Sequence, residues 1–269
     1  MLKFKRLFNR KCSIIAMIHV DALPGSPLFS GSVDKIVSKA CQETELYLSN
    51  NVDGILVENM HDVPYIQSKY FGPEITATMS RICTELRKIV PKNKPFGIQV
   101  LAGGNKEALS VAKACSMNFI RAEGFVFSHI ADEGFMDANA GIILRYRKKI
   151  QAEDILVFTD IKKKHSSHAI TNDVSLVETA RAAEFFLSDG IILTGTSTGD
   201  PADIKELQKL KLGTSLPVLI GSGVTLDNIE NYLSADALII GSYFKKGGKW
   251  NQELDKKRIS NFMNKINNV

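Results

Sequence analysis

Two short glycine turns, Gly221-Ser222-Gly223 and Gly241-Ser242, carry the plainest chemistry in the sequence. Each follows an apolar run, Pro217–Ile220 and Ala237–Ile240, and the first leads into Val224–Ile229, which reads as a capped helix start. Small residues at two neighbouring strand ends leave backbone N–H groups bare. A helix N-terminus beside them adds free N–H groups and the positive end of its dipole. That combination suits a phosphate or another anion, so Gly221, Ser222, Gly223, Gly241 and Ser242 are the expected phosphate-binding residues. One such turn would only redirect the chain. Two of them about 20 residues apart, in the last two units of a β/α repeat, point to an anion.

A second group of residues offers acid–base chemistry. Glu58, Glu123 and Asp160 stand at the ends of apolar runs, His19 ends the first run, and Lys162 follows Asp160 closely. The carboxyls can exchange protons with a bound molecule, while His19 and Lys162 can polarise a carbonyl. These five are the expected catalytic residues. An inward carboxylate without a partner is costly, so Glu58 and Glu123 call for a role or for an ion pair with Arg121. A divalent ion such as Zn²⁺, Mn²⁺ or Mg²⁺ is the cofactor such a rim could hold. Its donors would be drawn from His19, Asp21, Glu58, Glu123, Asp160 and His165, although no His-x-His or His-Glu-x-x-His spacing marks a site. Schiff-base chemistry would need a lysine within the mouth, and no expected strand contains one; Lys162 and Lys164 lie just beyond the fifth. His61 and His129 read as surface loop residues.

These residues need elements that bring their strand ends together. Eight short apolar runs recur: Ser13–Ile18, Gly54–Val57, Phe96–Val100, Phe119–Ala122, Ile155–Thr159, Gly190–Leu193, Val218–Ile220 and Ala237–Ile240. Nearly continuous hydrophobics indicate parallel strands buried on both faces. Amphipathic stretches lie between them, including a stripe of Met79, Ile82, Cys83, Leu86 and Ile89 that stops before Pro91. Further helices are expected at about 140–150, 176–187, 202–210, 226–233 and 259–266, with Asp200-Pro201 and Thr225 as helix starts. A doubly wound open sheet shares this alternation, but eight repeats favour one closed (β/α)₈ barrel over residues 12–269, preceded by a basic arm over residues 1–11. In such a barrel the chemistry collects at the C-terminal strand ends, where all these residues fall.

The bulk properties call for a sizeable packed core, and no charge cluster decides function. The 269 residues are 44% hydrophobic and 23% charged, with a net charge of only +5. The cations lie in scattered clusters such as Lys162–Lys164 and Lys256-Lys257-Arg258, which read as solvated faces, and nucleic acid is not an expected partner. Cys12, Cys41, Cys83 and Cys115 show no metal or redox spacing and are expected as reduced thiols, which fits an intracellular protein of the cytoplasm or an organelle. No apolar run approaches the ~20 residues of a membrane span. Basic residues ahead of Cys12–Ile18 have the order of a signal peptide, but the run continues into His19-Val20-Asp21 as a first strand should. A short targeting arm, or a membrane-surface contact through it, is the alternative. Association with further copies of the chain is also expected.

Taken together, Met17–Pro27, Val57–Pro64, Asp160–His165, Thr194–Gly199 and Gly221–Val224 resemble the BtpA/SgcQ family of TIM-barrel proteins. The likeness extends from about Ile14 to Lys246. It implies a ribulose-phosphate-binding-like barrel without a settled reaction, since the family's namesake is linked to photosystem I biogenesis and other members carry membrane-biogenesis or nucleotide-acting names. Many members place Asn-Asp after the third strand, where this chain has Ala102-Gly103-Gly104-Asn105 and one acidic group fewer. The expectation is an enzyme, a lyase, isomerase or hydrolase, acting on a small phosphorylated metabolite such as a sugar phosphate or a nucleotide-derived compound. The competing expectation is a non-catalytic assembly or membrane-biogenesis factor that keeps the phosphate-binding barrel.

Overall fold

The eight apolar runs become eight parallel strands in the computed structural model, which describes residues 2–268. In chain order the elements are α1 (Leu2–Leu7), β1 (Ser13–His19), α2 (Val33–Ser49), β2 (Gly54–Glu58), α3 (Pro73–Ile89), β3 (Phe96–Gln99), α4 (Asn105–Ala114), β4 (Phe119–Ala122), β5 (His129–Ala131), β6 (Gly134–Met136), α5 (Ala140–Lys149), β7 (Leu156–Ile161), β8 (Ser166–Ser167), α6 (Leu176–Phe185), β9 (Gly190–Leu193), α7 (Ile204–Gly213), β10 (Val218–Ile220), β11 (Ala237–Ile240) and α8 (Lys256–Asn267). The barrel closes in the order β1-β11-β10-β9-β7-β4-β3-β2.

Every residue of these eight strands is buried, because the sheet has a filled interior on one side and helices on the other. Alternation divides the hydrophobics into two cores. Ile14, Ala16, Ile18, Ile55 and Val57 face outward to meet helical stripes such as Met79, Ile82, Cys83 and Leu86. Ile15, Met17, Leu56, Phe119, Phe158, Ile192, Leu219 and Ile239 fill the interior. One step further along the same inward faces the side chains turn polar, so the barrel has an apolar floor and a polar mouth.

Four local expectations change. The first concerns the N-terminal arm, which is part of the floor. Phe4 and Phe8 are buried in the interior core, Phe4 edge-on to Phe158 at 5.7 Å and Phe8 beside Phe119 at 5.9 Å. The two aromatics on α1 and just after it plug the N-terminal end of the barrel, while Lys3, Lys5 and Arg6 stay outside. The second concerns residues 226–233, which form only a 3₁₀ turn over Ile229–Tyr232. Asn228 explains it: its Oδ1 accepts from Thr225 N–H at 2.7 Å and its Nδ2 donates to the Gly223 carbonyl at 2.9 Å, bonds that compete with an α-helical start. The third is the start of α7, capped by Asp203, whose side chain accepts from Lys205 N–H. Asp200 is occupied instead by the hydroxyls of Thr196 and Ser197 in its own turn.

The fourth change bears most on the site. The segment after β4 was legible only as a long loop. It folds as the antiparallel hairpin β5–β6, and β8 pairs with its edge to make a small sheet over one side of the mouth. His129 belongs to this sheet and is buried, its ring 5.5 Å from that of His168. It is not a surface residue.

The floor gives a direct test. Phe8→Ala should cost about 3–5 kcal/mol in urea denaturation, the usual price of emptying a buried aromatic site. A change below about 1 kcal/mol would mean that the N-terminal segment is not a structural plug.

Candidate functional site

The strand register sets the inner polar layer. His19 stands opposite Glu58, and Glu58 opposite Gln99, so three polar side chains follow one another around the mouth at the ends of β1, β2 and β3. Across from them Arg121 on β4 forks onto Asp160 on β7, with Nε to Oδ1 at 3.0 Å and an outer guanidinium nitrogen to Oδ2 at 3.1 Å. Both side chains are buried. Burial disfavours the guanidinium, and the attraction of Asp160 and Glu58 overrides it and holds Arg121 charged.

Glu58 is placed differently from its neighbours. It is 7% exposed, and among the described residues no side chain or backbone group hydrogen-bonds its carboxyl. The nearest partner is His19 Nε2, 3.8 Å from Oε2 and beyond hydrogen-bond reach. Burial pushes the Glu58 carboxyl above its ordinary value, and Arg121 and Lys164 offset this only in part. His19 is also driven well below the usual imidazole range, first by burial and then by the Lys245 ammonium. Its Nδ1 lies 3.4 Å from the Trp250 carbonyl, which can only accept, so the proton sits on Nδ1 and Nε2 presents its lone pair to the mouth.

The glycine turns line the same cavity as these groups. His19, Glu58, Arg121, Lys164, the Gly221–Thr225 turn and Gly241–Tyr243 surround a space of about 670 Å³ open to solvent. Close approach dictates the glycines. A Cβ on Gly221 would meet Ile192 at 2.5 Å, one on Gly223 would lie 2.1 Å from the Asp200 carbonyl oxygen, and one on Gly241 would stand 3.1 Å from the His19 ring. Gly223 also has φ of +72°, a conformation that other residues adopt only with strain. Among the described residues, the backbone N–H groups of Ser222, Gly223 and Ser242 donate to no protein acceptor. The Ser222 hydroxyl is used within the protein, donating to the Asp200 carbonyl at 3.1 Å and accepting from Gly195 N–H at 3.4 Å. The α-helix expected beside these turns is replaced by the 3₁₀ turn, and the positive charge comes from elsewhere. Arg258, in the first turn of α8, lines the cavity with its Nε on the Tyr243 carbonyl at 2.6 Å and its guanidinium 4.2 Å from the Tyr243 ring centre.

A second lobe adjoins the first through Glu58, Met60, Arg121, Lys164 and Thr198, which border both. It measures about 1030 Å³ with its opening, and its walls include Tyr65, Gln99, Leu101, Glu133 and Trp250. Trp250 is braced from behind by His61, whose ring lies 5.1 Å away, so His61 is half-buried support.

The expected catalytic residues therefore divide. His19 and Glu58 share the cavity with all five phosphate-turn residues. Glu123 borders the second lobe, where Lys163 holds it at 3.2 Å and Gly103 N–H donates to it at 3.0 Å. Asp160 borders neither lobe and serves Arg121. Lys162 is turned away, its ammonium donating to the Val174 carbonyl at 2.8 Å. The reason is backbone: Lys162 has φ of +48°, which breaks the strand alternation and sends Lys164 into the mouth in its place. Among the described residues Lys164 has no hydrogen-bond or ion-pair partner, and burial followed by Arg121 lowers its pKa. Strand spacing alone points to Lys162. Nor do the six candidate metal donors converge: among the described residues no three His, Cys, Asp or Glu side chains form such a group, and Asp21 is paired with Lys39 at 2.6 Å. Arg258, Trp250 and Tyr65 come from loops and a distant helix, where no local pattern marks them.

Two measurements follow from this geometry. Arg121→Met should destabilise by about 3–5 kcal/mol in urea titration, because it strands a buried carboxylate. Glu58→Gln should do the opposite at neutral pH. A raised folded-state pKa means that Glu58 favours the fold while protonated, and that this contribution is lost as pH rises through that value. The variant should thus melt higher than wild type at pH 8, with the gap closing by about pH 4.

Comparison with known proteins places this geometry in a wider group. Solved barrels with the same fold include tryptophan synthase subunit alpha from Legionella pneumophila, with a TM-score of 0.61, 12% identity and coverage of 99% of each chain. Thiamine phosphate pyrophosphorylase from Pyrococcus furiosus matches with a TM-score of 0.60 and 12% identity over 100% of this chain and 98% of that one. Orotidine 5'-monophosphate decarboxylase from Methanocaldococcus jannaschii matches with a TM-score of 0.57 and 16% identity, over 96% of this chain and 100% of that one. The fold is thus the closed (β/α)₈ barrel that these enzymes share. An uncharacterised Caenorhabditis elegans protein named as mitochondrial is 46% identical over 98% of this chain and 96% of its own length. The photosystem I biogenesis protein BtpA of Synechocystis is 31% identical over 95% of this chain and 88% of its own. With the BtpA family profile covering residues 10–268 as well, the chain belongs to the BtpA family.

Proposed function

We propose that this protein is an enzyme that holds a small phosphorylated metabolite by its phosphate and moves a proton on the attached group. The observation that carries the proposal is the placement of Glu58, a buried carboxyl without a hydrogen bond at the junction of two lobes, beside turns with unpaired N–H groups. A carboxyl whose pKa is raised gives a proton less readily to water and takes one more readily from a bound molecule. In this reading the N–H groups of Ser222, Gly223 and Ser242 cradle the phosphate with Arg258, whose charge offsets that of the anion. Arg121 and Lys164 stabilise negative charge that develops on the group between the lobes, and His19 accepts a hydrogen bond through Nε2. Isomerisation and elimination both use these groups. The phosphorylated ligands named for the thiamine phosphate and orotidine monophosphate enzymes support the ligand class. Four free cysteines and the mitochondrial naming of the nematode relative support a place inside the cell, in the cytoplasm or an organelle.

The name of the Synechocystis relative favours a second reading, a factor for assembly that retains the anion site without catalysis. One experiment separates the two. Wild-type protein incubated with a pool of phosphorylated metabolites should deplete one compound and generate another, by mass spectrometry. Glu58→Gln should deplete none while still gaining thermal stability from inorganic phosphate. Arg258→Met should weaken phosphate binding about tenfold, a loss of ~1.4 kcal/mol. Depletion undiminished in Glu58→Gln would remove the catalytic role, and full biological activity of that variant would favour the assembly reading.

A further inference from the structure

The second lobe holds a polar side chain that the proton-transfer chemistry does not use. Gln99 is 2% exposed, and among the described residues its carboxamide makes no hydrogen bond; its Oε1 is fully buried. It borders the second lobe rather than the phosphate cavity. A buried amide without partners is costly to keep, and a ligand edge that supplies a donor and an acceptor side by side removes the cost. Glu133 repeats the signal on the lid side. Its Oε2 is buried without a hydrogen bond, with Lys163 at 3.7 Å as its ion-pair partner. Between these two acceptors the lobe presents Tyr65, Trp250, Met60 and Leu101. The Tyr65 hydroxyl is already committed to the Met60 carbonyl, leaving its ring as an apolar surface. Flat apolar walls with polar groups at the edge recognise a planar ring, whereas a bare sugar would need a denser set of polar partners.

We propose that the lobe takes a planar nitrogen-bearing ring whose edge pairs with the Gln99 carboxamide, joined to the phosphate in the first lobe through a sugar-sized linker. The substrate class is then a nucleotide-like glycosyl phosphate rather than a simple sugar phosphate. This rests on the phosphate reading above and adds the identity of the attached group. Glu58, Arg121 and Lys164 border both lobes, so they face the linker and its bond to the ring. Gln99 is a binding residue in this scheme, and it takes no part in proton transfer.

The test is calorimetric titration of the full chain with ribose 5-phosphate, uridine 5′-monophosphate, adenosine 5′-monophosphate and N3-methyluridine 5′-monophosphate. At least one unmodified nucleotide should bind about tenfold or more tightly than ribose 5-phosphate. That advantage should vanish in Gln99→Leu while the affinity for ribose 5-phosphate stays unchanged, which also reports that the variant is folded. If uridine monophosphate is the preferred ligand, its N3-methyl derivative should lose the advantage on the wild-type protein, a readout that needs no variant. Nucleotides binding no better than ribose 5-phosphate would overturn this inference and leave the phosphate reading standing. An advantage that survives Gln99→Leu would also overturn it. Binding of none of the four would overturn both.

Discussion

The Arg121–Asp160 fork is the interaction on which the mouth of this barrel depends. A guanidinium at the centre of a closed sheet is tolerable only with a carboxylate in bidentate contact, and β4 and β7 are neighbours that can supply the two. Once paired, Arg121 still acts on Glu58 and Lys164 beside it. It opposes the rise in the Glu58 pKa and adds to the lowering of the Lys164 pKa that burial begins. The pair is thus a fixed electrostatic reference for two side chains without hydrogen bonds, Glu58 and Lys164, at the boundary of two lobes. Fold stability and chemical readiness pull against one another here, since Glu58 is left unpaired where a paired or neutral group would stabilise the protein more.

The barrel was legible because its physics is local. A parallel strand covered on both faces must be apolar along its length, and that pattern repeats eight times with helical stripes between, so fold and strand ends could be read directly. Within the site, His19, Glu58 and the two glycine turns were legible for the same reason: each is a strand end. Residues whose placement depends on backbone excursions were not. Lys162 itself takes the left-handed conformation, so alternation counted from the strand points to Lys162 while the backbone brings Lys164 to the cavity. Arg258 sits in a cluster with Lys256 and Lys257 that looks solvated, and only the docking of α8 beside Tyr243 turns it inward. The short antiparallel sheet over the mouth has strands of two and three residues, too brief for periodicity to register.

The glycines illustrate how the same residue type answers to different constraints. Gly223 is demanded by its own conformation and by the Asp200 carbonyl, whereas Gly241 is demanded by a neighbour, the His19 ring that lies against it. Through these contacts the turns and the histidine are mutually positioned, so the glycine-lined and the polar sides of the mouth are not independent modules. Ser222 makes the same point from the opposite direction. Its hydroxyl ties the β9 and β10 loops together, leaving the N–H to face the cavity.

The plug of Phe4 and Phe8 has a consequence for how the molecule is made. These side chains are made well before the ring partners they need, Phe119 and Phe158, and the barrel closes only when β11 meets β1. Phe4 and Phe8 therefore reach their buried positions only once β4 and β7 are in place, in a segment whose Lys3, Lys5 and Arg6 stay at the surface. α8 then brings Arg258 to the cavity, so segments before β1 and after β11 line opposite ends of the barrel.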